Sequence, residues 1–326
     1  MRVRLPPALR RFVLPLALVV FAVYPFVTGG YLVDVGFFFG IYVLLGLSLN
    51  IVLGEVGLYD LGHAGFFAIG AYVTAILNTR FGIPILVLLP VSALAAGLFA
   101  FLVTSPIIHL RGDYLCIVTI GMGEIVRLAL INNPFGLTGG PNGVYGIDSP
   151  SLGFVSIDSP VGYYFLVWAV VALCIAGLRR LQRSRIGRAW NCIREDETAA
   201  AATGIDVRSY KLLAFVLGAV LAGAAGNLYA SKLMIVSPES FTFWESCLMF
   251  CIVLLGGMGS LPGVIVGAAV VSLVPEIFRP LATYRMLFFG LAMILMMMFR
   301  PGGLWPRRRG GREGRDLLAH LWGKHG

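Results

Sequence analysis

Long apolar runs separated by short polar links set the pattern of this chain. A helix needs about 20 apolar residues to cross a bilayer's hydrocarbon core, and about ten stretches of that order can be marked. They run Phe12 to Thr28, Val33 to Leu53, Leu58 to Leu77, Ile85 to Thr104, Tyr114 to Ile131, Val161 to Leu178, Tyr210 to Ala230, Phe241 to Met258, Pro262 to Phe278 and Tyr284 to Phe299. Backbone polar groups must be satisfied internally in lipid, so the pattern predicts an all-α, polytopic integral membrane protein. Residues 1–305 read as a single transmembrane domain and residues 306–326 as a basic tail.

One polar stretch, LRRLQRSRIGRAWNCIREDETAAAATGIDVRSYK between Gly177 and Lys211, interrupts this pattern. Residues 179–209 therefore form a loop at a membrane face, dense in Arg and suited to a soluble partner. Asp196 or Glu195 can start a helix by placing negative charge at its positive end, ETAAAA supplies strong helix formers, and Gly204 stops it. A helix under about 12 residues is marginal in water, so it draws support from a partner's groove or the membrane surface. The plainer reading is an amphipathic connector.

Composition agrees: 58% hydrophobic residues, 13% charged residues and a mean hydropathy of +0.88 leave too little polar surface for a soluble chain. The net charge of +9 is gathered at the N-terminus, in the 179–209 loop and at the C-terminus. That is the positive-inside distribution, which reports topology and not a nucleic-acid ligand. With an even number of spans, both termini, the HLRGD link from His109 and the 179–209 loop lie in the cytoplasm, while Arg80, Lys232, Arg279 and Arg285 lie outside. MRVRLPPALRR and the apolar run after it lack a clean cleavage site, so they read as an uncleaved first helix rather than a secretory signal.

Residues 132–160, NNPFGLTGGPNGVYGIDSPSLGFVSIDSP, are rich in turn formers and nearly free of basic residues, the character of an ordered external loop. Thr138, Gly139, Gly140, Asn142 and Gly143 are candidates for an external platform; a plain connector would have the same composition. Small residues recur at Gly62, Gly65, Gly70 and Ala71 and again at Gly256, Gly257, Gly259, Gly263 and Gly267. They allow close helix approach, and they allow a helix to break at membrane depth where its backbone lines a cavity. IVLGEVGLYDLGHAGFFAIGAYV from Ile51 and IVLLGGMGSLPGVIVGAAVV from Ile252 are faintly alike, as an internal repeat would be.

Ionisable groups inside apolar spans cost about 2.5 to 3.5 kcal/mol on insertion scales, so each invites a functional question. Asp60 and His63 sit near a span end, where water can reach them, and a fold-holding hydrogen bond competes with a ligand contact. Glu124 and Arg127 can neutralise each other at i,i+3. Glu245 falls near the start of a span and has a similarly structural reading. Asn50, Gly57, Asp60, Gly62, His63, Thr119, Glu124, Gly256, Gly257 and Gly259 are the candidates for a translocation pathway or gate. Beyond Cys247 and Cys251 at i,i+4 on one helix face, Cys116, Cys174, Cys192, Cys247 and Cys251 show no metal spacing and read as inert. No metal site and no cofactor site is expected in this chain. GGMGSLPG lacks the lysine of a phosphate-binding loop, His63 has no partner at useful spacing for a triad, and the chain reads as no enzyme.

These segments resemble a known family: the membrane-spanning permease subunits of branched-chain amino acid ABC transporters, of the high-affinity leucine/isoleucine/valine type. The similar stretches are LNIVLGEVGLYDLGHAGFFAIGAY, GDYLCIVTIGMGEIVRL with NNPFGLTGGPNGVYGI, SRIGRAWNCIREDETAAAATGIDVRSYKLLAFVLGAVLAGAAGNLYA, and VLLGGMGSLPGVIVGA with FRPGGLW. They stand in the family's order and cover most of the chain from Asn50 to Trp305. The resemblance implies a permease domain whose 179–209 loop docks on an ATPase, with roles for Gly187, Arg188, Arg194, Glu195, Asp196, Glu197, Ala200 and Gly204. EDETAAAATG is only loosely like the general importer consensus and closer to the branched-chain subfamily.

The resemblance further implies a second homologous permease, two cytoplasmic ATPase subunits holding ATP and Mg, an extracytoplasmic substrate-binding protein, and a bacterial inner membrane. Urea, short amides or other amino acids are alternative cargoes within the family. A different class, an ion-coupled secondary transporter titrating Asp60, His63 or Glu124, predicts uptake with no ATPase present.

Overall fold

The computed structural model describes residues 24–277 apart from 111, 153, 154 and 158, together with 287, 290, 291, 294, 298 and 303–305. Most of the expected first span, most of the expected tenth and the whole 306–326 tail lie outside the described residues. The helix α1 (Gly30–Leu49) continues as a π-helical segment (Asn50–Val56), and the two form one 27-residue span. Then follow α2 (Ala64–Phe81), α3 (Ile85–Ile107), α4 (Asp113–Ile131) and α5 (Pro160–Gln182). After the polar loop come α8 (Val207–Leu233), α9 (Phe243–Gly256) and α10 (Leu261–Ile277).

The expected spans from the second to the ninth each correspond to one of these helices. By length and composition, 6 segments among the described residues can cross a membrane: Gly30–Val56, α3, α4, α5, α8 and Pro238–Gly256. The third expected span differs most. Helix α2 starts at Ala64 instead of Leu58, because Gly57 adopts a left-handed conformation (φ 83°) and the next six residues are not helical.

Helix α8 packs in the middle, against α1, α2 and α3. Gly70 of α2 lies so close to the backbone of Gly223 of α8 that a methyl group on Gly70 would overlap it, and one on Gly223 would overlap Ala96 and Ser92 of α3, which is what small residues permit. Asn227 of α8 donates to Thr74 Oγ1 (3.0 Å) and to Ile85 O (3.2 Å), tying α2, α3 and α8 inside the core.

The 132–160 loop and the 179–209 loop lie at opposite ends of α5. At one end Arg80 donates to Gly136 O (2.7 Å), Asp148 N–H donates to Asn78 Oδ1 (2.8 Å) and Lys232 pairs with Asp34 (2.6 Å). There the loop is ordered. Asn133 Oδ1 accepts from the N–H groups of Thr138 and Gly139 (2.9 and 3.1 Å), and Gly143 presses on the Val236 carbonyl where β1 (Val144–Tyr145) meets β4 (Ile235–Val236). Another two-residue pair joins β2 (Ser151–Leu152) and β3 (Val155–Ser156), and these two pairs are the strands among the described residues.

Candidate functional site

At the opposite end from the 132–160 loop, two helix breaks and the polar loop meet. The first break, Gly57–His63, leaves backbone N–H groups without helical partners, and side chains from the break itself and from two other helices satisfy them. Leu61 N–H donates to Thr119 Oγ1 of α4 (3.2 Å), Gly62 N–H to Asp60 Oδ1 (3.0 Å) and Ala64 N–H to Ser246 Oγ of α9 (3.0 Å). Gly62 rests directly on the Thr119 carbonyl, leaving no room for a side chain.

Asp60 and His63 are sealed, each with 0% exposure, so the expectation that water reaches them is corrected. The chain folds back at Gly57 and carries them under α1, α4 and α9. His63 also has the partner that spacing did not reveal. Its Nδ1 lies 2.8 Å from Asp60 Oδ2 and its Nε2 2.7 Å from Ser48 Oγ. The Ser–His–Asp order has hydrolase distances, yet Ser48 sits within α1 at 0% exposure, where no substrate reaches its hydroxyl.

The second break joins α9 to α10 through Gly257 (φ 116°, ψ 117°) and Gly259 (φ 77°). Here the backbone is satisfied mainly by other backbone. Leu304 N–H donates to Leu255 O (2.8 Å) and Trp305 N–H to Gly256 O (2.9 Å), so the GLW segment closes the carbonyl end of α9. Gly303 lies against Gly257 with no space for a Cβ. The breaks are joined to each other: Gly259 N–H donates to Asn50 Oδ1 (2.9 Å), and the missing side chain at Gly54 lets Asn50 pass.

The polar loop holds α6 (Arg185–Glu195) and α7 (Glu197–Ala202). Helix α7 is the one expected: Asp196 caps it by accepting from Thr198 N–H (2.8 Å) and Ala199 N–H (3.0 Å), and Gly204 (φ 85°) follows it. The Thr198 hydroxyl first, then the Ala199 and Thr198 N–H groups, hold the Asp196 carboxyl below its ordinary range. Helix α6 was not expected. Its signal was present in Ser184, which caps it, and in Ile186, Ala189, Trp190 and Ile193 at helical spacing on one face.

The residues assigned to docking divide into two sets. Arg188, Glu195, Asp196 and Gly204 are exposed, as are Ala199, Ala201 and Ala202. The others face into the protein. Arg194 Nη1 donates to Gly54 O, Glu197 pairs with the buried Lys211 (2.8 Å), Ala200 is buried, and Gly187 packs on the backbone of Gln182. Glu197 is only partly exposed, because Lys211 at 3% exposure needs a carboxylate. Gln182 also donates to the buried Glu55 (2.6 Å).

Glu124 and Arg127 form the expected pair (Nη2 to Oε1 2.5 Å), and Arg127 also faces Glu239 at 3.4 Å. The Glu124 side chain is 40% exposed on α4 and that of Glu239 72%, so these charges are on an outward face. Glu245 sits in the first turn of α9. The cysteines are free, with Cys192 exposed on α6, and no group of three metal-binding side chains occurs among the described residues.

Apolar helices broken at glycines, with a capped polar loop gripping one break, define a multi-pass membrane protein. Residues 31–297 match the family described as "Branched-chain amino acid transport system / permease component", and the chain belongs to that family. It is 42% identical over 317 residues to the high-affinity branched-chain amino acid transport system permease protein LivM of Escherichia coli K12, covering 90% of this chain and 74% of that one. A probable LivM of Methanocaldococcus jannaschii is 28% identical, covering 83% of this chain and 92% of its own length. LivH of Escherichia coli K12, a second permease, is 24% identical over 82% of this chain and 91% of its own. These relatives are transport permease subunits, not enzymes. No solved structure matches the chain.

Proposed function

We propose that this chain is the membrane-spanning permease subunit of an ATP-driven importer for branched-chain amino acids in a bacterial inner membrane. The observation that carries this reading is the match to a permease relative across 90% of the chain. A second homologous permease completes the pathway, two cytoplasmic ATPase subunits drive it with ATP and Mg, and an extracytoplasmic binding protein delivers the cargo. The exposed residues Arg188, Glu195, Ala199 and Ala201 meet the ATPase, and the rigid turns at Thr138, Gly139, Asn142 and Gly143 receive the binding protein.

The outward charges support the pairing of permeases. Even as a pair, Glu124 and Arg127 would be costly facing lipid, where an isolated charge loses about 2.5 to 3.5 kcal/mol. That face of α4 therefore meets protein and a watery pathway. Relatives named as two permeases, LivM and LivH, fit a pore made of unlike halves.

The test is reconstitution of all subunits in liposomes, offered leucine, valine, alanine, urea and short amides. ATP-dependent uptake that favours leucine and valine is expected. Uptake by this chain without the ATPases would replace this reading with ion-coupled transport, and preference for urea or amides would replace the cargo.

A further inference from the structure

The polar loop does more than present a surface, because one of its cations ends a membrane-crossing helix. The span Gly30–Val56 finishes in the π-helical segment Asn50–Val56, and the last carbonyls of any helix lack helical N–H partners. In an α-helical turn the N–H of Leu58 would bond to Gly54 O; here it bonds to Val52 O instead (3.1 Å), as does Gly57 N–H. Arg194 Nη1 takes its place at Gly54 O, and a cation at a helix C-terminus also suits the helix dipole. Gly57 makes the approach possible: a Cβ there would sit 3.1 Å from Arg194 Cγ. Four residues before Gly54, Asn50 holds the Gly259 N–H of the second break. A single helix end thus connects the loop to both breaks.

We propose that Arg194 is a positioning residue that transmits movement of the 179–209 loop to the membrane helices, by capping the Gly30–Val56 span at Gly54 while Asn50 passes the displacement to Gly259. This rests on the permease reading and goes beyond docking, since Arg194 Nη1 is engaged within this chain, at Gly54 O. Gln182, bonded to Glu55 on the adjacent position, holds the end of α5 to the same turn.

The experiment uses the complete complex in proteoliposomes with leucine, comparing the wild type with Arg194→Ala and Arg194→Lys for subunit assembly, ATP hydrolysis and leucine moved per ATP. Loss of a charged cap is expected to lower leucine moved per ATP about tenfold in the Ala variant, with hydrolysis continuing. The Lys variant keeps a charged donor and is expected to recover part of that loss, which a merely space-filling role would not produce. An assembled Ala variant with wild-type leucine per ATP, or a Lys variant no better than Ala, overturns the proposal. Should the Ala variant fail to assemble, hydrogen exchange in the wild-type complex decides. Binding of a non-hydrolysable ATP analogue is expected to change protection of the Gly57 and Leu58 amides, and unchanged protection overturns the proposal. A wild-type complex that moves leucine without ATP sinks the permease reading itself, which is a separate result.

Discussion

The two helix breaks do the same geometric job by different means. At Gly57–His63 the freed backbone is held by side chains: Asp60, Thr119 and Ser246, with Ser48 holding His63 from below. At Gly257–Ser260 one side chain, Asn50, holds the Gly259 N–H, and the rest of the hold comes from glycines in close contact and from the backbone of Leu304 and Trp305. A side-chain clamp can be weakened one bond at a time. A backbone clamp has no such gradation, because any added atom meets a main chain that cannot move aside.

The sharpest way to break that comparison is Gly256→Leu. A Cβ there overlaps the backbone of Gly263, so about 3 kcal/mol or more is lost and little folded protein should survive detergent extraction and size exclusion. Wild-type yield from this variant would mean that the second break is loosely packed after all. His63→Ala comes next. It leaves the fully buried Asp60 without its ring partner and should cost about 3 kcal/mol, read as a lower midpoint in denaturant titration of the purified protein.

Asn50→Ala separates the breaks from each other. The buried Gly259 N–H loses its acceptor, for an expected cost of about 1 to 3 kcal/mol, and uptake should fall more than stability does. Equal losses in both readings would make Asn50 a fold residue alone. Ser246→Ala removes one clamp bond, to Ala64 N–H, and should cost about 1 kcal/mol in the same titration.

The smallest effect is expected from acidification of the loop. The folded Asp196 carboxyl titrates below its unfolded value, so its capping contribution is complete above about pH 4 and is lost as pH falls through the folded value. Protection of the Thr198 and Ala199 amides should therefore stay level between about pH 5 and 8. Loss of protection near neutrality would assign the cap to another group.

The length of apolar runs finds a helix at each expected span from the second to the ninth, with α2 starting six residues late, and 6 segments among the described residues are long and apolar enough to cross a membrane. The sequence also shows α7, whose cap, helix formers and terminal glycine are all local. Local signals run out where partners are distant. Ser48, Glu55, Gln182, Lys211 and Ser246 do not stand out as candidates, because a lone polar residue in or beside an apolar run looks the same whether or not a partner awaits it. Arg194 and Glu197 stand out by type and by loop, but the fold turns them inward.

Neighbours along the chain are enough to establish that this protein crosses a membrane many times, carries a capped polar helix between spans and belongs with permeases. They say nothing of the long-range pairs. Only folding shows that Asn50 meets Gly259, 209 positions away, that Ser48 meets His63, and that Arg194 ends a helix drawn from another part of the chain. A buried N–H or carbonyl must be satisfied by whatever the fold brings near it. Sequence spacing sets no limit on where that partner comes from.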